Sequence, residues 1–227
     1  MSWGPGTTEW TRLLVGAGVD ARDPWSFFYG RYREAVLALY RREGVHPDEL
    51  EDLVQAFFTA ALQQGFLERA DPERGRFRGY LCLAARRFLA SELRREGRQK
   101  RMPAGGLVAL ATDLQPVARD PGPEDAFDLA WARGVLERAV SRAREELLRA
   151  GKEPHARAWE LRRAGSGWRE IAARLGSTAA AVRGWGQRFE QRVAEHVRAE
   201  VAGTVLGEEE LERELADLAR ILAGAEG

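Results

Sequence analysis

Cysteine is almost absent from this sequence. Cys82 is the one thiol, which excludes an intramolecular disulfide framework and a Cys-based zinc site. Lysine is nearly as scarce: Lys100 and Lys152 are the only two, so 33 of the 35 basic residues are arginine. No apolar run approaches the ~18 residues that a membrane helix needs, and the opening MSWGPGTTEW lacks a basic stretch leading into an apolar one. The expectation is a soluble cytoplasmic protein with no membrane insertion and a reduced thiol. His46, His155 and His196 are scattered, and no phosphate loop or metal-spaced cluster is present. No catalytic residue, metal or cofactor is therefore expected, and the chain is read as a binding protein rather than an enzyme.

What remains is helical and arginine-rich. Hydrophobic residues make up 44% of the 227 and charged residues 31%, enough for a core and too apolar for a disordered chain. Apolar residues recur at helical spacing almost throughout and no long alternating pattern occurs, so the fold class is all-α. The zero net charge hides a sorting by sign. Residues 43–68 hold six acids and no base, whereas 69–101 hold eleven bases against four acids. Residues 102–132 are net acidic, 133–203 carry fifteen bases against nine acids, and 204–227 turn acidic again. Two basic blocks flanking an acidic stretch imply two anion-facing surfaces.

The periodicity divides the chain into an N-terminal segment (1–24), a helical domain (25–100), an irregular acidic linker (101–124), a second helical domain (125–203) and a C-terminal extension (204–227). Trp25, Phe28, Tyr29, Tyr32, Val36, Leu39 and Tyr40 form the stripe of a first helix. Asp48, three residues before Glu51, predicts a capping box for a second helix that buries Leu50, Leu53, Val54, Phe57, Phe58, Ala61 and Leu62. A third, over 77–96, buries Leu81, Ala84, Phe88, Leu89 and Leu93. Pro103, Pro116, Pro121 and Pro123 punctuate the linker. Leu211, Leu215, Leu218 and Leu222 give a final amphipathic helix with an acidic start, which suits a helix N-terminus.

Three segments carry candidate chemistry. In Trp168–Phe189, Ala172 is small where two helices touch and Gly176 follows four residues later. Val182 and Trp185 anchor the second helix, and Ser177 is placed to cap it. This is helix-turn-helix spacing, against the plainer reading of a helical hairpin. Its outward set is Thr178, Ala179, Ala181, Arg183, Gly184, Gln187 and Arg188. In 69–101, arginines interleave with Phe77 and Tyr80. Either the rings stack on unpaired bases, or they are core and the arginines a solvated face; composition leaves both open. In 46–58, Glu51 and Asp52 are adjacent, a poor acid/base pair, and read locally as a solvated acidic face.

In this order and spacing the segments resemble the extracytoplasmic-function class of bacterial sigma factors. Pro47–Gln55 (PDELEDLVQ) is similar to that family's PEDAEDLVQ element, and 71–89 (DPERGRFRGYLCLAARRFL) to the DPxRGRFRxFL stretch of one subgroup. Thr8-Glu9-Trp10-Thr11 and Glu200–Val205 resemble that subgroup's start and tail, and 168–189 its region 4. The resemblance implies a specificity subunit that binds core RNA polymerase and promoter DNA, with an anti-sigma factor or other regulator as a further partner. It implies polymerase docking through Asp48, Glu51, Asp52, Leu53 and Gln55. It assigns −10 binding and melting to Arg74, Arg76, Phe77, Arg78, Tyr80, Arg86 and Arg87. It assigns −35 binding to Arg169, Ser177, Thr178, Ala179, Ala181, Arg183, Gln187 and Arg188. The sequence departs from the family in having only Arg183 and Arg188 as bases in 178–189. Gly184 and Gly186 weaken that helix, each by about 1 kcal/mol relative to alanine. A stand-alone helix-turn-helix regulator that does not engage polymerase is the alternative.

Overall fold

The computed structural model describes residues 24–64, 66, 76–99, 122–205 and 207–225, and every regular element among them is an α-helix. The N-terminal segment 1–23, Arg74 and residues 100–121 of the expected linker lie outside the described residues. The chain falls into two compact units, Met1–Trp131 with Ala223–Gly227, and Ala132–Leu222.

The first unit is built on aromatic packing. Helix α1 (Pro24–Arg42) starts on a proline, which suits a first helical turn, and ends before Gly44 at φ +86°. Phe28, with no exposed surface, is ringed by Trp25, Tyr32, Phe58, Phe66 and Phe77 at centroid distances of 5.4–6.2 Å. Each well-oriented ring pair adds about 0.5–1.5 kcal/mol beyond area burial. Helix α2 (Pro47–Gln63) brings Phe57 and Phe58 to this core, and α3 (Phe77–Gln99) brings Phe77, Leu81, Ala85 and Leu89. The buried Tyr40 hydroxyl donates to the Ala85 carbonyl at 3.1 Å, tying α1 to α3. Burial pushes that phenol well above its ordinary pKa, so it remains a donor.

Three details differ from the sequence expectation. The cap of α2 is His46, whose Nδ1 accepts from the Asp48 amide at 3.4 Å. Pro47 takes the first helical position, so Asp48 sits inside the first turn, where its charge favours the helix dipole. Leu62 and Leu93, expected in the core, are 47% and 52% exposed. On α3, Ala85 and Leu89 complete the buried face one turn before Leu93.

Helix α4 (Pro123–Arg149) begins inside the expected linker and continues past Trp131 into the second unit. There α5 (Glu153–Arg163), α6 (Trp168–Arg174), α7 (Ala179–Ala202) and α8 (Glu208–Gly224) follow. Ala139, Ala143 and Leu147 of α4 pack with Ala156 of α5 and with Phe189 and Val193 of α7. A second cluster joins Ala158 and Leu161 to Ile171, Ala172 and Val182. Glu200 of α7 is fully buried and is held by Arg138, with Arg142 at 3.4 Å. A buried carboxylate tolerates that position only because both cations face it. On α8, Leu211, Glu214 and Leu218 are buried, and Arg198 of α7 pairs with Glu208 and Glu212 of its acidic start.

Gly184 and Gly186 differ physically, although both lie within α7. A Cβ at Gly186 would meet the Trp168 ring at 3.2 Å, so the missing side chain makes room for that indole. At Gly184 the nearest group is the flexible Arg188 guanidinium at 3.6 Å. Gly184→Ala should therefore gain about 1 kcal/mol of helix propensity and raise the melting temperature by about 2–4 °C. Gly186→Ala should lower it, because overpacking a rigid ring costs about 1–3 kcal/mol. Thermal unfolding followed by circular dichroism distinguishes the two, and equal shifts would contradict this account.

Candidate nucleic-acid and partner interfaces

On α2, Asp48, Asp52 and Gln55 recur at four and three residues, and all three are exposed. That spacing puts them on one helix face. Thr59 and Leu62 continue the same stripe toward the C-terminus of α2. There Gln55, Thr59 and Leu62 meet Trp25 and Tyr29 of α1 around a groove of about 490 Å³. One face thus has an acidic end and an apolar end. Glu51 is exposed but occupied, since Arg33 Nη2 reaches its Oε2 at 2.6 Å. Asp52 has no ion pair among the described residues, and Leu53 is half-buried behind the stripe. The α1 side of the groove escaped the sequence reading. The signal was there in Thr59 and Leu62, which extend the periodicity of 48, 52 and 55.

The arginine and aromatic set on α3 divides in two. Phe77 is core at 6% exposure, between Phe28 and Phe66, so its faces are not open to a base in this state. Tyr80 is 36% exposed and lays one face on Phe66 at 4.5 Å and 13°. Arg87 is exposed and Arg76 half-buried. Arg78 and Arg86 are ion-paired within the fold. Arg86 bridges Glu43, with Nε to Oε1 at 3.0 Å, and Glu124, with Nη1 to Oε1 at 2.6 Å. Arg78 is buried, pairs with Asp128 and lies 4.6 Å from the Trp131 ring centroid. The acidic first turns of α4, at spacing i and i+4, therefore cover two of the arginines assigned to promoter contact. Cys82 lies beside this clamp, and burial pushes its thiol up to about 12.

In the second unit, Gly176 turns the chain at φ +60° between α6 and α7. Ala172, Ile171 and Val182 are buried where the two helices meet. The α7 cap is Thr178, not Ser177: its Oγ1 accepts from the Ala181 amide at 3.1 Å, while the Ser177 amide closes the turn onto the Ala172 carbonyl. Ala179 packs against the core and Ala181 is half-buried, which leaves Arg183, Gln187 and Arg188 exposed on α7 and Arg169 exposed on α6. None of these three arginines has an ion pair among the described residues. By contrast, Arg174 is paired with Glu170, and Arg192 with Glu146 and Glu195.

Residues 28–99 match the family model of sigma-70 region 2. No curated protein and no solved structure gives a significant match. The matched segment contains α2, most of α1 and all of α3, and so both the acidic stripe and the clamped arginines. That likeness belongs to this segment, about a third of the chain.

The clamp has a measurable consequence. Neutralising both acids that hold Arg86, with Glu43→Gln and Glu124→Gln, releases its guanidinium. Single-stranded DNA should then bind more tightly, with the slope of log affinity against log salt steeper by about 0.7 for one added phosphate contact. Fluorescence anisotropy across a salt series measures both, and an unchanged slope would show that Arg86 does not reach DNA.

Proposed function

We propose that this chain is a sigma factor of the extracytoplasmic-function class, with α2 as its polymerase-docking helix and α6–α7 as its −35 reader. One observation carries the reading: within the segment matched to region 2, Asp48, Asp52 and Gln55 form an exposed stripe, and Asp52 is left without a cation among the described residues. An unpaired carboxylate on such a face is available to a basic partner surface. The groove beside Trp25, Tyr29 and Leu62 offers the apolar contact that charge alone does not supply.

Promoter contact follows from the same division. Tyr80, Arg76 and Arg87 remain as the −10 surface of the closed state, with Arg78 and Arg86 joining it when the acids of α4 withdraw. Extruding a base costs a few kcal/mol, which stacking and phosphate contacts offset. Arg183, Gln187 and Arg188 face a −35 duplex from α7, and Arg169 reaches its backbone. The C-terminal helix α8, anchored in cis through Arg198, is the subgroup's extension, and an anti-sigma protein would act on these same surfaces.

A second reading has its own observation. The helix-turn-helix, with Arg169, Arg183 and Arg188 unpaired, stands outside the segment matched to region 2 and is chemically complete as a DNA binder. Such a protein would be a stand-alone regulator.

Gel filtration with sigma-free core RNA polymerase separates the two. Wild type should co-elute, and Asp52→Arg, an exposed substitution that leaves helical content intact, should lose at least about tenfold in affinity. Failure of wild type to co-elute while it binds duplex DNA tightly would favour the stand-alone regulator.

A further inference from the structure

Behind α7, on the side of the second unit where α4 turns into α5, lies a cavity of about 200 Å³. Its walls are Lys152, His155, Arg188 and Gln191, together with Leu147 and the ion-paired Arg192 and Glu195. Lys152 and Arg188 have no carboxylate partner among the described residues. His155 is 9% exposed, stacked on Trp185 at 5.8 Å and 20°, and its Nδ1 is shielded from solvent without a hydrogen-bond partner. Two uncompensated cations thus converge on a concave site beside an imidazole ring. Charge-assisted contacts to an oxyanion are among the strongest that a protein makes.

We propose that Lys152, His155 and Arg188 form a phosphate-binding pocket in the second unit. Lys152 supplies a point charge and Arg188 a planar donor fork, while the His155 ring, stacked on Trp185, forms part of the wall and reports on the site. Burial together with the Arg188 and Lys152 charges holds the imidazole below its ordinary pKa, and an arriving anion relieves that repulsion. The phosphate comes from one of two sources, a nucleic-acid backbone or a free phosphate-bearing molecule. Arg188 is shared with the −35 set, so Lys152 and His155, which lie outside that set, separate the pocket from the promoter reading.

The full chain carries three histidines, so the His155 imidazole resonances can be followed individually by NMR. Inorganic phosphate should shift them saturably, whereas sodium chloride at matched ionic strength should not. Lys152→Gln and Arg188→Gln are exposed changes, and together they should weaken phosphate at least about tenfold with unchanged helical content. A short duplex DNA forms the second arm. Saturation by phosphate with no response to duplex assigns the pocket to a free ligand. A response to duplex alone, reduced by Lys152→Gln on its own, assigns it to the backbone. Silence in both arms, or an equal shift from chloride, would overturn the pocket.

Discussion

An arginine never gives up its charge within the range of protein chemistry, and this chain uses arginine for nearly all its positive charge. Each guanidinium is therefore met by water, a carboxylate, a ring face or an anion from outside. The described arginines distribute themselves along these lines. Arg33, Arg78, Arg86, Arg138 and Arg198 reach acids elsewhere in the fold, and Arg162 and Arg163 lie over Trp168 and Trp159. Arg87, Arg169, Arg183 and Arg188 are exposed without such an acid and are open to an external anion. Function is thus visible as the remainder after internal pairing, which a count of bases does not show.

The two units solve the problem of a small core differently. The first packs large rings around Phe28 and ties its helices with a buried tyrosine bond. The second packs alanine and glycine closely enough for helices to approach, then fits a single large indole, Trp168, against Gly186. The glycine that weakens α7 as an isolated helix is the same one that lets α6 seat on it. The helix-turn-helix is held by shape as much as by propensity.

Much of the fold was legible in the sequence, because helical periodicity is a strong signal in long amphipathic segments. The helices, the glycine turn at 176 and the start of the C-terminal helix were all readable. The errors were local. His46 displaced Asp48 as the cap because proline at the next position fixes where a helix begins, and Thr178 displaced Ser177 by one residue because its hydroxyl reaches the Ala181 amide. Leu62 and Leu93 fit the periodic pattern but are about half exposed, Leu62 at the rim of the groove beside Trp25 and Tyr29. For the candidate surfaces, the alternation of Phe77 and Tyr80 with arginines left core and stacking roles undecided, and burial separates the two. That Glu124 and Asp128 cover Arg86 and Arg78 was not readable, since the partners lie 38 and 50 positions apart and no local pattern links them. The His155 cavity was hidden for the same reason, its walls coming from three separated stretches.

The single thiol has a use that its inertness conceals. Cys82 is buried and strongly protonated, next to the contacts joining Arg78 and Arg86 to Asp128 and Glu124. A thiol reagent can reach it only when the packing around it opens, so the rate of labelling becomes a clock for how often that part of the fold breathes. With no other cysteine in the chain, the signal comes from one position, and the natural protein already contains its own reporter of the open state.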